Sequence, residues 1–242
     1  MLNSDSNSEP QPGAAVPGGR EHGALRRTLA ALHARLFPLR DPASRAYRYL
    51  ARSIERDFKT TGPGVCLSFC APDDATTAAD AVLMLAFCLQ SELDSRVLII
   101  DARFKCSAGG VSERLGIENC AGFNDVLYPG TDTSTVFLQP TRLPRVSVLA
   151  AGTSLESAGQ PADFARLKVL LRRIRMRFNY VLVQVGSVLT DTRNLRTAAE
   201  TDAAFLLVEE NRTPMTVLDD CRSVLYGIGV GDVRVVMTGA KP

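Results

Sequence analysis

From residue 41 onward, short apolar runs alternate with longer segments whose apolar residues recur at helical spacing. A short unbroken apolar run bounded by turn residues is typical of a strand that is buried on both faces. The predicted strands are Val65–Cys70, Arg96–Ile100, Val146–Ala150, Tyr180–Val185, Ala203–Val208 and Val233–Thr238. The helices predicted between them lie near Thr76–Gln90, Phe164–Phe178, Asn194–Ala199 and Thr216–Tyr226.

This alternation predicts the fold class. Parallel strands need long crossover connections, and helices in those connections cover both faces of the sheet. We therefore expect an α/β fold, a single domain over residues 41–242 with a mostly parallel sheet and helices on both faces. One more helix precedes the first strand: Asp41 or Ser44 is its candidate N-cap, and it reaches to about Phe58.

The first 40 residues follow a different pattern. Residues 1–23 are rich in Ser, Pro and Gly without periodicity, which predicts a disordered tail. Residues 24–37 place leucines at helical spacing between arginines and predict a short basic amphipathic helix. The leucines are Leu25, Leu29, Leu32 and Leu36, and the arginines are Arg26, Arg27 and Arg35. This helix either docks on the domain or binds a partner or an anionic membrane surface.

Composition narrows the function classes. Hydrophobic residues make up 45% and charged residues 22% of the 242 residues, which are values of a globular protein with a full core. The net charge of +2 indicates no general attraction to polyanions. No apolar run is long enough for a transmembrane helix or a signal peptide, so we expect a cytoplasmic protein.

The cysteines and histidines offer no catalytic or metal-binding pattern. Six scattered cysteines form no CxxC pair, which favours plain buried thiols. Both histidines, His22 and His33, precede the predicted domain, so a His-based zinc site or catalytic triad is excluded there.

Several segments, in order, resemble the kinase domain of the bacterial tyrosine kinases of capsule and exopolysaccharide synthesis. That family belongs to the deviant-Walker-A group of P-loop NTPases, which also contains the septum-site and plasmid-partition ATPases. Residues 41–50 resemble "SPxxEAYRxLR", residues 96–103 (RVLIIDAR) resemble "RVLLIDADLR", and residues 171–186 resemble "LLxxLRxxFDYVIIDTPP". Residues 115–130, 148–152 and 201–208 add weaker matches. The resemblance spans about residues 41–240 and implies a P-loop NTPase-like domain.

The phosphate loop that the resemblance implies is degenerate. A phosphate loop uses glycines to let backbone N–H groups approach the phosphates, and a lysine to neutralise them. The segment after the first predicted strand contains neither: it consists of Pro72, Asp73, Asp74, Ala75, Thr76 and Thr77. Asp73 and Asp74 lie where phosphate would bind, and we interpret one of them as a cap of the following helix that replaces the phosphate.

Of the two aspartates that the family links to magnesium, this sequence retains one. Asp101 matches the family's magnesium-linked aspartate after the second strand and is the candidate metal ligand, and Thr76 or Thr77 is a candidate replacement for the family's magnesium-binding hydroxyl. Gln184 stands where the resemblance places the Walker B aspartate, and a neutral amide is a poor ligand for Mg²⁺. We therefore expect no cofactor; ATP and Mg²⁺ would bind only if the site is remodelled, and Asp101 and Gln184 are interpreted as vestigial.

Two further family features are also weakened. The family's first helix assembles a kinase ring through a Glu-x-x-Arg-x-x-Arg pattern, which here reads Arg45, Arg48 and Ala51. Arg45 and Arg48 remain the candidate surface for a partner or an oligomer. The family's C-terminal tyrosine cluster has no counterpart, since none of the five tyrosines lies within the last sixteen residues.

These observations favour a catalytically degenerate regulator or scaffold in exopolysaccharide synthesis and export, of capsule or holdfast type. Its expected partner is the cytoplasmic segment of an inner-membrane polysaccharide co-polymerase of the Wzz/Wzc type, and oligomers with itself or with related P-loop domains are a second expectation. One alternative is an active tyrosine kinase or ATPase with a remodelled site. Another is a ParA/MinD-like protein that binds DNA or membrane through the basic residues of the 164–178 helix, although no nucleic-acid partner is expected.

Overall fold

The computed structural model describes residues 42–58, 62–73, 77–104, 109–128, 137–153 and 162–238. The strands are β1 (Val65–Cys70), β2 (Val97–Asp101), β3 (Leu138–Pro140), β4 (Val146–Leu149), β5 (Tyr180–Gln184), β6 (Ala203–Glu209) and β7 (Val233–Thr238). The helices are α1 (Pro42–Asp57), α2 (Thr77–Leu93), α3 (Val111–Leu115), α4 (Phe123–Leu127), α5 (Phe164–Arg175), α6 (Thr192–Ala199) and α7 (Met215–Gly227). The predicted tail (1–23) and basic helix (24–37) lie outside the described residues.

The strands form one sheet in the order β3-β4-β2-β5-β1-β6-β7. Every pairing in it is parallel except that of β3 with β4. β1, β2 and β5 are buried at every position, as their unbroken apolar sequences predict. The predicted α/β class and mostly parallel sheet are therefore confirmed, and the predicted bounds of β1 and β7 match the structure.

Helices cover both faces of the sheet. One core cluster joins α1 and α2 to one face through residues such as Ile54, Val82 and Leu89, which are fully buried. The other joins α5 and α7 to the opposite face through residues such as Leu167 and Leu225. Alternate residues of a strand point to opposite faces, so Leu67 belongs to the first cluster and Cys66 to the second.

Three short elements were not predicted: α3, α4 and β3. Each has only three to five residues, too few for a hydrophobic period to be visible in the sequence. The prediction of Ser44 as an N-cap is wrong, because Ser44 lies inside α1, is buried, and its Oγ has no hydrogen-bond partner among the described residues. Asp41, the other candidate, lies outside the described residues.

The cysteines that the structure describes are free thiols, and four of the five are buried. Burial raises the pKa of both Cys66 and Cys70 to about 12, so these thiols are unreactive at neutral pH. Within the described part of the chain, no three His, Cys, Asp or Glu side chains are grouped closely enough to hold a metal ion. No helix there is long and apolar enough to cross a membrane.

Candidate functional site

The predicted site residues meet at the carboxyl edge of the sheet, the edge at which the parallel strands end. Asp101 is the last residue of β2 and Gln184 the last of β5, and the two are direct partners in the parallel register. Pro72 and Asp73 follow β1, which pairs with β5 on its other side. The carboxyl edge is where open α/β sheets bind ligands. The topology therefore brings Asp101, Gln184 and the start of the loop after β1 to one edge of the sheet.

Asp101 is fully buried, and its carboxylate is held within the chain. The guanidinium of Arg103 donates to it through Nε, 3.0 Å from Oδ1, and through a second nitrogen, 3.4 Å from Oδ2. The backbone N–H of Ser112 donates to Oδ2 over 2.9 Å. Arg103 is itself only 9% exposed, so this is a buried ion pair with charge-assisted hydrogen bonds. An internal arginine therefore neutralises the carboxylate that would face a metal ion.

Gln184 is held in the same way. Its Oε1 accepts a hydrogen bond from the backbone N–H of Val111, over 2.8 Å. Val111 and Ser112 are the first two residues of α3, so Asp101 and Gln184 together accept from the N–H groups that a helix start leaves without partners. The N-cap residue, Gly110, supplies no side-chain acceptor of its own. Two strand ends thus cap one short helix.

Gly110 makes room for the arginine. A Cβ atom built on Gly110 would lie 1.3 Å from an Arg103 guanidinium nitrogen and 2.0 Å from its central carbon. Any side chain at this position would displace the guanidinium from Asp101. The ion pair therefore depends on a glycine that precedes α3 as well as on Arg103 itself.

This donor set does not fit a magnesium ion. Mg²⁺ needs uncommitted carboxylate or phosphate oxygens in near-octahedral geometry. Here both oxygens of Asp101 already accept hydrogen bonds, and its neighbour Gln184 offers an amide oxygen that caps α3. A positive guanidinium also lies where a cation would have to approach. These hydrogen bonds satisfy backbone N–H groups at the start of α3, and Arg103 neutralises the buried charge of Asp101.

The loop after β1 is tied to the loop after β5. Ser187 donates from Oγ to the carbonyl of Pro72 over 2.6 Å, and its own carbonyl accepts from Nδ2 of Asn194 over 2.9 Å. Gly186 allows this approach, since a Cβ there would lie 2.7 Å from the Asn194 side-chain nitrogen. The Gly-Ser pair therefore anchors the start of the loop that follows β1.

The rest of that loop is described only in part. Asp73 is exposed, whereas Asp74, Ala75 and Thr76 lie outside the described residues, and of Thr77 only its place at the start of α2 is described. The pKa of Cys221 in α7 is raised to about 11 by burial and, to a smaller extent, by the charges of Asp220 and Asp73. That an aspartate caps α2 in place of a phosphate stays a prediction.

Sequence reasoning missed Arg103, Gly110 and Ser187. A signal for the first was present: in the RVLIIDAR segment, an arginine stands at the place of the second aspartate of "RVLLIDADLR". The role of Gly110 is invisible in the sequence, because it depends on a side chain seven positions away folding back over it.

The two residues of the candidate partner surface on α1, Arg45 and Arg48, differ in their exposure to solvent. Arg45 is exposed, but Arg48 is half-buried and forms an ion pair with Glu92 of α2, with its Nε 3.4 Å from Oε1. Ala51, the third position of the family pattern, is fully buried in the core. Among the predicted surface residues, Arg45 is therefore the one that faces solvent.

The basic residues of α5 are largely used inside the chain. The helix is amphipathic as expected, with Phe164, Leu167, Leu170, Leu171 and Ile174 buried. Lys168 pairs with Glu200 at 3.3 Å, Arg175 pairs with Asp202, and Arg166 donates to the carbonyl of Val126. Ion pairs and helix packing thus account for much of this basic face, which weakens the reading of α5 as a nucleic-acid surface.

The sheet order, the helices on both faces and the loop after β1 define the class of P-loop NTPase folds. No family model and no curated protein matches the sequence. Among solved structures, the kinase domain of the Escherichia coli tyrosine kinase ETK is similar, with a TM-score of 0.72 and 16% identity over 85% of this chain and 78% of that one. The VpsO kinase domain has a TM-score of 0.67 and 15% identity over 84% of this chain and 97% of that one.

The MinD cell division protein of Aquifex aeolicus is also similar, with a TM-score of 0.55 and 16% identity over 74% of this chain and 70% of that one. The predicted likeness to the bacterial tyrosine kinase domain and its MinD-like relatives is therefore confirmed at the level of the fold. Identities this low carry no statement about activity.

Proposed function

We propose that this protein is a catalytically degenerate relative of the bacterial tyrosine kinases that regulates or scaffolds exopolysaccharide synthesis and export. It binds no ATP and acts through a protein partner. The observation that carries the proposal is the internal closure of the carboxyl edge, where Asp101 is paired with Arg103 and Gln184 caps α3. A site whose charged and polar groups already serve the fold has little left for a nucleotide.

The phosphate loop supports the same conclusion. It contains no glycine and no lysine, and Asp73 and Asp74 introduce negative charge where phosphates would bind. A unit charge about 4 Å from a phosphate charge costs about 1 kcal/mol in water and about 4 kcal/mol at the effective dielectric of a protein surface. Phosphoryl transfer requires phosphate positioning and metal together, and the sequence at these positions supplies neither a phosphate-binding lysine nor a second carboxylate beside Asp101.

The proposed partner is the cytoplasmic segment of an inner-membrane polysaccharide co-polymerase of the Wzz/Wzc type. The support is the ordered set of kinase-domain motifs in the sequence together with the likeness of the fold to tyrosine kinase domains. Such a partner would hold this chain at the inner face of the membrane. Arg45, exposed on α1, is the residue we place in the docking surface.

Calorimetry with MgATP tests the absence of nucleotide binding, with the ETK kinase domain as the positive control. We expect no heat of binding up to millimolar ATP for the native chain. The double variant Arg103→Met with Gln184→Asp, which frees Asp101 and restores a carboxylate on β5, serves as a second sample. Micromolar binding by the native chain would overturn the proposal and favour the alternative of an active kinase or ATPase with a remodelled site.

The partner is tested with the purified cytoplasmic segment of the co-polymerase from the same organism. We expect binding that is weakened by Arg45→Glu on α1 and unchanged by Arg222→Glu, which makes the same change on an exposed site of α7 on the opposite face. Absence of binding by the native chain would refute this partner while leaving the nucleotide result intact. Tight binding to DNA or to anionic vesicles instead would favour the ParA/MinD-like alternative.

A further inference from the structure

A second polar region lies at the amino edge of the sheet, where the parallel strands begin. A cleft of about 700 Å³ opens there between the end of α1, the loop that joins α2 to β2, and the starts of β4 and β5. This volume is in the range of small-molecule sites. The lining residues that matter for its chemistry are Glu55, Asp94, Arg96, Arg145, Asn179 and Tyr180.

Three hydrogen-bonding groups of this cleft are uncommitted. Tyr180 is 2% exposed, and its hydroxyl has no hydrogen-bond partner among the described residues. Asn179 accepts from the backbone N–H of Arg96 through Oδ1, which leaves its Nδ2 group available. Arg96 is exposed, and its guanidinium forms no ion pair with a described residue. Because the hydroxyl of Tyr180 opens on the cleft, it is available to a ligand bound there.

The other charges of the cleft are already paired. Glu55 accepts from Arg52 over 3.1 Å, and Arg145 bonds both the carboxylate of Asp94, at 2.9 Å, and its backbone carbonyl, at 3.0 Å. Asp94 and Arg145 both have left-handed backbones, with φ of 49° and 64°, a conformation that side-chain-bearing residues seldom adopt. Their ion pair thus joins two constrained loops and makes one wall of the cleft.

These features set the charge and the chemistry of the ligand. Among the described residues, two carboxylates and two guanidiniums line the cleft, so this wall is neutral, and Arg96 carries the one charge there without a described ion-pair partner. One planar guanidinium matches one planar carboxylate, whereas a phosphate dianion would also meet Glu55 and Asp94. Tyr180 and Asn179 add neutral hydrogen-bonding groups that suit hydroxyls.

We propose that the amino-edge cleft binds a small carboxylate with several hydroxyl groups, an acidic sugar, through Arg96, Asn179 and Tyr180. The carboxylate pairs with the Arg96 guanidinium, and the sugar hydroxyls exchange hydrogen bonds with the Tyr180 hydroxyl and the Asn179 amide. The site lies at the opposite edge from Asp101 and does not depend on the proposed loss of nucleotide binding.

The test is a chemical-shift titration of the full chain with glucuronate at constant ionic strength. The titration extends to about 50 mM, because a millimolar dissociation constant corresponds to only about 4 kcal/mol. Glucose, acetate and glucose 1-phosphate are the comparison ligands. We expect glucuronate to shift the amide signals of residues around Arg96 and Asn179 and to bind at least tenfold tighter than each of the other three.

Substitutions of the three cleft residues test whether glucuronate binds in the amino-edge cleft. Arg96→Gln is expected to weaken glucuronate binding at least tenfold, and Asn179→Asp to abolish it, because the new carboxylate keeps the bond to the Arg96 N–H but repels the ligand and competes for the guanidinium. Tyr180→Phe removes only the hydroxyl and is expected to weaken binding several-fold. Arg222→Gln, which alters an exposed arginine on α7, should change nothing.

Each other outcome would overturn the inference. No glucuronate binding, or binding that Arg96→Gln leaves unchanged, would refute the site. Acetate binding as tightly as glucuronate would refute the role of the hydroxyls, and tighter glucose 1-phosphate binding would refute the assignment to carboxylates. The nucleotide calorimetry is unaffected by any of these results, so the two proposals fail independently.

Discussion

The two edges of the sheet differ in how their polar groups are used. At the carboxyl edge, Asp101 is paired with Arg103, and Gln184 and Ser187 each hold a neighbouring loop or helix. At the amino edge, Arg96 and the hydroxyl of Tyr180 have no such partner among the described residues. The edge where this fold class binds its ligands is internally closed, and the edge that is normally structural carries an open cleft.

The polar groups of the two edges therefore serve different ends. Asp101, at the end of β2, accepts a hydrogen bond from the start of α3 and pairs with a buried arginine, whereas polar groups of the amino edge face a cleft. Residues at the carboxyl edge should therefore matter for stability, and residues at the amino-edge cleft for binding.

The largest expected effect comes from Arg103→Met. It leaves the fully buried Asp101 carboxylate without its counter-charge, and breaking a buried pair from one side costs about 3–5 kcal/mol. Urea unfolding measures the loss. Arg96→Met, the same change at an exposed arginine of the amino edge, should alter stability by less than about 0.5 kcal/mol. If Arg103→Met and Arg96→Met lower the free energy of unfolding equally, the carboxyl edge does not differ from the amino edge in its importance for stability.

The double variant Asp101→Asn with Arg103→Met sharpens this result. Removing both charges should recover part of the stability that Arg103→Met alone loses, because no unpaired buried charge remains. No recovery would mean that Arg103 stabilises the fold mainly through its other contacts.

A smaller effect is expected from Gln184→Ala. It leaves the buried N–H of Val111 without an acceptor, which costs about 1–3 kcal/mol. Gln139→Ala changes the same residue type on β3, at the border of the sheet, where the side chain is only half-buried, and should cost less. Equal losses in thermal or urea unfolding would contradict the capping role of Gln184.

Ser187→Ala is expected to cost about 1–2 kcal/mol, because it removes two hydrogen bonds, from Oγ to the Pro72 carbonyl and from the Leu189 N–H to Oγ. Hydrogen exchange should rise in the segment that follows β1 and leave the amino edge unchanged. Ser223→Ala, at an exposed serine of α7, is the control. Unchanged exchange after β1 would show that Ser187 does not anchor this loop.

The smallest effect concerns pH, at the end of α1. Hydrogen bonds from Arg56 and Arg234 lower the pKa of Asp57 to about 2, against about 3.9 for an unperturbed aspartate. Because the pKa of Asp57 is lower in the folded chain than in the unfolded chain, the ionised carboxylate stabilises the fold at pH values above the unfolded pKa. This stabilisation is lost as the pH falls from about 4 to about 2. Asp57→Asn should therefore melt slightly below the native chain at pH 6, with the difference closing towards pH 2. A difference that persists at pH 2 would argue for another cause.

Most of the fold was predictable because it follows from local patterns. The apolar runs predict the bounds of β1 and β7 and place the end of β5 one residue too far, at Val185; β1 and β5 are buried along their whole length, so most of their positions are apolar. The amphipathic period of α5 likewise predicts its buried face. The short α3, α4 and β3 escaped prediction because their conformations are set by neighbouring segments rather than by a repeat.

The candidate site was predictable in position but only partly in chemistry. The sequence showed that Asp101 is present, that Gln184 replaces an aspartate, and that the phosphate loop has neither glycine nor lysine. Nothing local, however, reveals that Gly110 leaves room for the Arg103 guanidinium, or that Ser187 reaches Pro72 across 115 positions of sequence. The amino-edge cleft was missed altogether, because its residues come from four separate segments.

Residue type and local spacing are thus sufficient for the α/β class, for the places of the main strands and helices, and for the lack of a lysine in the segment after β1. The closed carboxyl edge and the open amino edge depend on tertiary contacts. Hydrogen bonds and ion pairs between distant segments depend on distances of a few tenths of an ångström, and those distances exist only after the sheet has brought the strand ends together.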